Sequence, residues 1–163
     1  MAIADDPVSV VADHGALGVK ESAAIWAHAK GYRDQNSDPA AVEETMSGIR
    51  SRLSLDGAVL LLARHSGASS VGFILFAPRE RTLEIFYLGV APEMWGRGIG
   101  RRLLLSAEDH ARKIGQQTLE LWVINDNDRA IDVYERSGFV ATQELKRDVK
   151  SGRLERRFLR PLS

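Results

Sequence analysis

Six residues, Trp95-Gly96-Arg97-Gly98-Ile99-Gly100, constrain this chain more than any other stretch, because glycines at alternate positions stand between a strand pattern and a helix pattern. Upstream, Thr82 to Val90 is an apolar run of strand character. Downstream, Ile99, Leu103, Leu104, Ala107, Ala111 and Ile114 recur at helical spacing until Gly115. The first-turn amides of a helix have no intrahelical partner and sit at the positive end of its dipole. Glycine lets a phosphate reach them, since no Cβ stands in the way. Arg97, Arg101 and Arg102 add positive charge at the same spot. Such a turn suits a diphosphate ligand, or else serves only tight strand-to-helix packing. A P-loop would need Gly-Lys-Ser/Thr, and here Arg101 follows Gly100. A dinucleotide fold needs differently spaced glycines after a parallel strand.

The remaining pattern decides what surrounds that turn. Val8 to Ala12 reads as a first strand, and Leu17, Ala24, Ile25 and Ala29 as the apolar face of a helix that Gly31 interrupts. Asp38-Pro39 reads as the cap and first position of a second helix, whose stripe is Val42, Met46, Ile49 and Leu53. Ala58 to Arg64, Val71 to Ala77 and Thr82 to Val90 are apolar runs joined by loops too short for a parallel crossover, so they should pair antiparallel. Leu119, Leu121 and Val123 alternate with Thr118, Glu120 and Trp122 as a further strand. A short helix from Asp128 to Ser137 stops at Gly138, and Phe139 to Gln143 and Leu154 to Leu159 close the pattern. The expectation is one α/β domain over residues 1–163, with a mixed, mostly antiparallel sheet of six to seven strands and helices on both faces.

Composition removes several function classes. Lys plus Arg and Asp plus Glu both number 22, so no net field argues for nucleic acid or a membrane surface. The chain contains no cysteine, which excludes disulfides, thiolate nucleophiles and thiolate metal sites together. No His, Asp and Glu have metal-ligand spacing, so no metal is expected. No apolar run is long enough to span a bilayer, and Met1 to Pro7 lacks the pattern of a signal peptide, so the expected location is cytoplasmic.

A second element accompanies the glycine turn: Asn127-x-Arg129-Ala130, then Tyr134, then Gly138-Phe139. With both motifs in this order, Leu83 to Phe139 resembles the GNAT superfamily of N-acetyltransferases. The family's Gln/Arg-x-x-Gly-x-Gly/Ala motif is matched except at its first position, where Trp95 removes one side-chain phosphate contact and leaves the backbone cradle intact. The resemblance implies acetyl-CoA as co-substrate and direct attack by a primary amine, carried by a small molecule or a protein, within a ternary complex. It leaves room for a catalytically weak CoA-binding module, for a transferase using another acyl-CoA, and for a homodimer paired through the closing strands.

The same resemblance distributes roles. Main-chain groups of Leu88, Gly89 and Val90 would pair with the pantetheine arm at a strand bulge, for which Gly89 is suited. An amide near Leu88 would polarise the thioester carbonyl. Trp95, Gly96, Arg97, Gly98, Ile99, Gly100 and Arg101 would surround the pyrophosphate. Tyr134 would protonate the departing thiolate, or else serves as a core aromatic beside Ala130 and Val133. Asn127 would contact the pantetheine, and equally suits the N-cap of its helix. Glu84, placed on the same alternating face as Phe86 and Leu88, is the first candidate for general base. Glu120 and Tyr87 are weaker ones, and His28 and His65 cannot be connected to the cleft. Tyr32 to Ala40 and Lys146 to Arg153 would flank the acceptor.

Overall fold

In a computed structural model, residues 8–34, 40–65 and 69–162 are described. Seven strands form one sheet, in the order β1 (Ser9–Ala12), β2 (Val59–Arg64), β3 (Ser70–Pro78), β4 (Leu83–Val90), β5 (Thr118–Ile124), β7 (Leu154–Pro161) and β6 (Val140–Arg147). Every neighbouring pair is antiparallel except β4 and β5. Helices α1 (Ala16–Asp34) and α2 (Ala40–Leu53) cover one face, whose core is built on Val19, Ala23, Ile49, Leu60, Leu62, Phe73 and Leu75. Helices α3 (Ile99–Lys113) and α4 (Asp128–Arg136) lie on the other, over Ile74, Phe76, Leu83, Leu103, Leu119 and Phe158. Alternation along the central strands therefore feeds two cores, the expected mixed sheet between helical layers.

Two local readings change. Gly31 does not end α1, which continues to Asp34; the cost of a helical glycine, about 1 kcal/mol, is borne by the packing of the turns before it. The helix also sits in a different phase. Leu17 is 63% exposed, while Val19, Ser22, Ala23 and Ile25 are buried. Small residues around the whole circumference leave the helical period weakly marked, and contact with the sheet chooses the face. The stripe read in α2 is observed, with Ile49 buried and Val42, Met46 and Leu53 packed on the same core. The proposed cap at Asp38-Pro39 lies outside the described residues.

Strand β4 carries the irregularity that creates the site. Leu75 pairs with Tyr87 but Phe76 pairs with Ile85, so Phe86 is an extra residue with no partner on β3. The bulge thus falls at Phe86 and not at Gly89. Gly89 stays in register with Phe73, and a Cβ there would stand 2.7 Å from a Phe73 ring carbon. It is a close-approach glycine. Gly89→Ala should cost about 1–3 kcal/mol by overpacking, read as a lower denaturation midpoint at unchanged slope.

A candidate active site between two splayed strands

Beside the bulge, the one parallel pair comes apart. β4 and β5 are in register only over Leu83–Ile85 and Leu119–Leu121, although β4 runs on to Val90 and β5 to Ile124. A cavity of about 410 Å³ opens where they separate. The bulge also reverses the side-chain phase of β4. Leu88 and Val90 pack on the α3–α4 core with Ile85, whereas Phe86 and Tyr87 both pack on the α1–α2 core. The cavity consequently has walls from both faces of the sheet. Ile99, Ala130 and Tyr134 line it on one side, Trp26, Phe86 and Tyr87 on the other. Two layers of the fold are connected through the split.

The glycine turn borders this opening. Pro92–Met94 forms a single 3-10 turn, and Gly98 then caps α3 in the left-handed region at φ 80° with no side-chain hydrogen bond to the helix. Gly96 also has φ 80°, and a Cβ on either glycine would find no atom within 4 Å. These glycines answer to backbone angle and leave open space where a side chain would project. The first intrahelical amide is Arg102 N–H, donating to Gly98 O at 3.0 Å. The amides of Ile99, Gly100 and Arg101 precede it in the uncapped first turn, so they remain available to an anion.

Trp95 fastens the turn to the strand. Its Nε1–H donates to Val90 O at 2.8 Å, so the Val90 carbonyl already has one donor. The Arg129 guanidinium, from the first turn of α4, lies 3.7 Å from the indole centroid, and Tyr32 meets the ring edge-on at 5.1 Å. The residue that departs from the family motif is a packing hub joining β4, α1 and α4.

Of the cofactor-binding residues named from sequence, Leu88, Gly89, Val90, Trp95, Gly96, Gly98, Ile99, Gly100, Arg101, Asn127 and Tyr134 all line the cavity. Arg97 does not; its side chain is exposed outside the lining. Asn127 caps α4, its Oδ1 accepting from Ala130 N–H at 3.3 Å, while also facing the cavity. Tyr134 packs edge-on against the buried Phe139 at 5.8 Å. Its hydroxyl makes no hydrogen bond among the described residues, and burial pushes its pKa up to about 12. The phenol therefore stays protonated across the physiological range.

The carboxylates sort differently from the sequence reading. Glu84 shares a face with Phe86 but not with Leu88, because the bulge intervenes. It pairs with Arg79 at 3.4 Å, does not line the cavity, and is pushed upward in pKa by burial and by Glu120. Glu120 is buried, which alone would raise its pKa. Hydrogen bonds from Arg157 (2.9 Å), Thr82 (2.9 Å) and Trp122 (3.0 Å) outweigh that and hold it below the usual range. One carboxylate that the sequence reading missed does line the cavity: Glu155 on β7. Its segment reads as an ordinary closing strand, and only the insertion of β7 beside β5 brings Glu155 opposite Ile124. Among the described residues no group of three or more His, Asp or Glu is placed to hold a metal ion, and no helix is long and apolar enough to cross a membrane.

The model of the acetyltransferase (GNAT) family matches residues 24–139. The chain belongs to the GNAT acetyltransferase family. Among curated GNAT relatives, mycothiol acetyltransferase of Beutenbergia cavernae is 32% identical over 127 residues, covering 77% of this chain and 43% of that protein. The mycothiol acetyltransferase of Propionibacterium freudenreichii is 34% identical over 102 residues, covering 58% and 33%. The chain thus spans less than half the length of these relatives. The GNAT fold itself is shared with PaiA N-acetyltransferase of Thermoplasma acidophilum, solved with coenzyme A, at a TM-score of 0.69 and 18% identity over 94% of this chain and 99% of that one.

Proposed function

We propose that this chain transfers the acetyl group of acetyl-CoA to a primary amine by direct attack within a ternary complex. The observation that carries the reading is the cavity through the split between β4 and β5, with the uncapped first turn of α3 at its mouth. Amides of Gly98 to Arg101, with the Arg101 side chain, would hold the pyrophosphate. Between Ile85 and Val90, whose carbonyl Trp95 already engages, the edge of β4 that β5 has left can hydrogen-bond the amide-bearing pantetheine arm in the manner of an added strand. An amide near Leu88 would then face the thioester carbonyl and stabilise the charge that develops on its oxygen. Tyr134, neutral and lining the same cavity, would donate its proton to the sulfur as the carbon–sulfur bond breaks.

The acceptor enters from the α1–α2 side, where Trp26, Phe86, Tyr87 and Trp122 make the walls largely aromatic. A small amine with an apolar or planar body fits those walls best. Curated relatives named mycothiol acetyltransferase favour a small-molecule acceptor over a protein. Thiol release from acetyl-CoA across a panel of primary amines, amino acids and peptides tests the reading. We expect release that depends on the amine and saturates in both substrates. Tight acetyl-CoA binding with no amine-dependent release would overturn it in favour of a CoA-binding module.

A further inference from the structure

An alkylamine has a pKa of about 10.4, so at neutral pH it reaches any site as an ammonium ion, with roughly one molecule in 2,500 uncharged. Acetyl transfer by direct attack therefore needs a group that removes a proton on the acceptor side of the split. We propose that Glu155, projecting from β7 into the α1–α2 half of the cavity, is the general base for the acceptor amine. The inference rests on the acetyl-transfer reading above.

The topology sets its side of the sheet. On β7, Phe158 belongs to the α3–α4 core and Arg160 pairs with Glu108 of α3 at 2.9 Å. Arg157, one position out of phase, pairs instead with Glu120 at 2.9 Å. Glu155 has the parity of Arg157, so it faces the α1–α2 side. There it lines the cavity near Trp122 and opposite Ile124. Tyr134 lines the same cavity from the α3–α4 side. Base and acid thus reach one cavity from opposite faces of the sheet, which suits a nucleophile arriving on one side of the thioester and a thiol leaving on the other.

Its chemical state suits the role. Among the described residues the Glu155 carboxylate makes no hydrogen bond and no ion pair, unlike Glu120, whose lone pairs are taken by three donors, and Glu84, which is paired with Arg79. Among the described residues, the charges that act on it are Lys146 of β6 and Arg52 of α2, which favour its ionised form, and Asp148 after β6, which opposes it; Lys30 of α1 lines the same cavity. Burial outweighs the cations and pushes its pKa up, toward the operating range of a base.

The steps balance. The Glu155 carboxylate takes one proton from the ammonium and passes it to solvent. The freed nitrogen lone pair forms the carbon–nitrogen bond at the thioester carbonyl carbon, the carbon–sulfur bond breaks, and the thiolate takes the Tyr134 proton. The second amine proton, lost from nitrogen as the amide forms, restores Tyr134 through solvent.

Glu155→Gln removes the acceptor oxygen charge at nearly constant shape. We expect kcat/KM for an alkylamine to fall about a hundredfold at neutral pH, with the acetyl-CoA dissociation constant changed by about twofold or less. The pH profile separates this role from a structural one. Wild-type kcat/KM should level off once Glu155 has ionised, whereas the variant should climb about tenfold per pH unit toward the pKa of the amine itself. A fluorinated alkylamine, uncharged at neutral pH, should nearly close the gap between wild type and variant. The same amine should flatten the acid limb of the wild-type profile, a result that needs no folded variant. An unchanged rate and profile in Glu155→Gln, an equal loss for both amines, or a wild-type acid limb that persists with the fluorinated amine would overturn the assignment. Wild-type protein that binds acetyl-CoA yet releases no CoA with any amine would instead overturn the acetyl-transfer reading beneath it.

Discussion

Tyr134→Phe should lower kcat about a thousandfold while leaving the acetyl-CoA dissociation constant within about twofold of wild type. The variant keeps the ring, its edge-on contact with Phe139 and its place on the α3–α4 core, so neither fold nor cavity volume has reason to change. What disappears is one proton. Desolvation sets the sign of the accompanying pH dependence. In the proposed role the neutral phenol is the active form, and burial raises its pKa to about 12, so wild-type turnover should show no alkaline loss from this group below about pH 11. A steep fall in kcat between pH 8 and 10 that disappears in Tyr134→Phe would mean that the hydroxyl is far more acidic than its surroundings allow. Equal loss of rate and of acetyl-CoA binding would make Tyr134 a packing residue only.

Gly98→Val should do the opposite, abolishing cofactor affinity before chemistry can be observed. Two effects add. A β-branched residue at φ 80° is strained by at least 1–2 kcal/mol in the capping position of α3. Its side chain would also fill the open space beside the first-turn amides, forfeiting charge-assisted hydrogen bonds worth about 1.5–3 kcal/mol each. We expect acetyl-CoA to bind about a thousandfold more weakly, near 4 kcal/mol, in a direct titration. No protein atom lies within 4 Å of the new Cβ, so the denaturation midpoint should fall only by the strain. Retained affinity in Gly98→Val would remove the pyrophosphate from the α3 N-terminus. Side by side, these two outcomes would divide the site into a half that binds and a half that reacts.

The elements most legible in the sequence are those whose signal is local. The turn from Trp95 to Gly100, the apolar stripes of α2 and α3, the Asn127 cap of α4 and the alternating strands are written in spacing and in residues that set backbone angles. Short loops between β2, β3 and β4 dictated antiparallel pairing before any contact was known. The face of α1 was illegible because small residues surround it. The bulge at Phe86 was illegible because nothing in Leu83 to Val90 marks which residue lacks a partner on β3, and Gly89, the one residue that suggested a bulge, serves the ring of Phe73.

By itself, then, the sequence marked where an anion can be held: alternate glycines before an uncapped helix leave room beside its first-turn amides, and the resemblance carried by the Asn127 to Phe139 element is what implied CoA. Which carboxylate shares the cavity was decided only by tertiary structure. Glu84 and Leu88 look equivalent along an alternating strand until one extra residue turns them to opposite faces, and Glu155 looks like surface until β7 inserts beside β5. The physical reason is range. Backbone angles and periodicity are fixed by neighbours in the chain, whereas a cavity between splayed strands is made by residues far apart in sequence that meet only when the sheet is assembled.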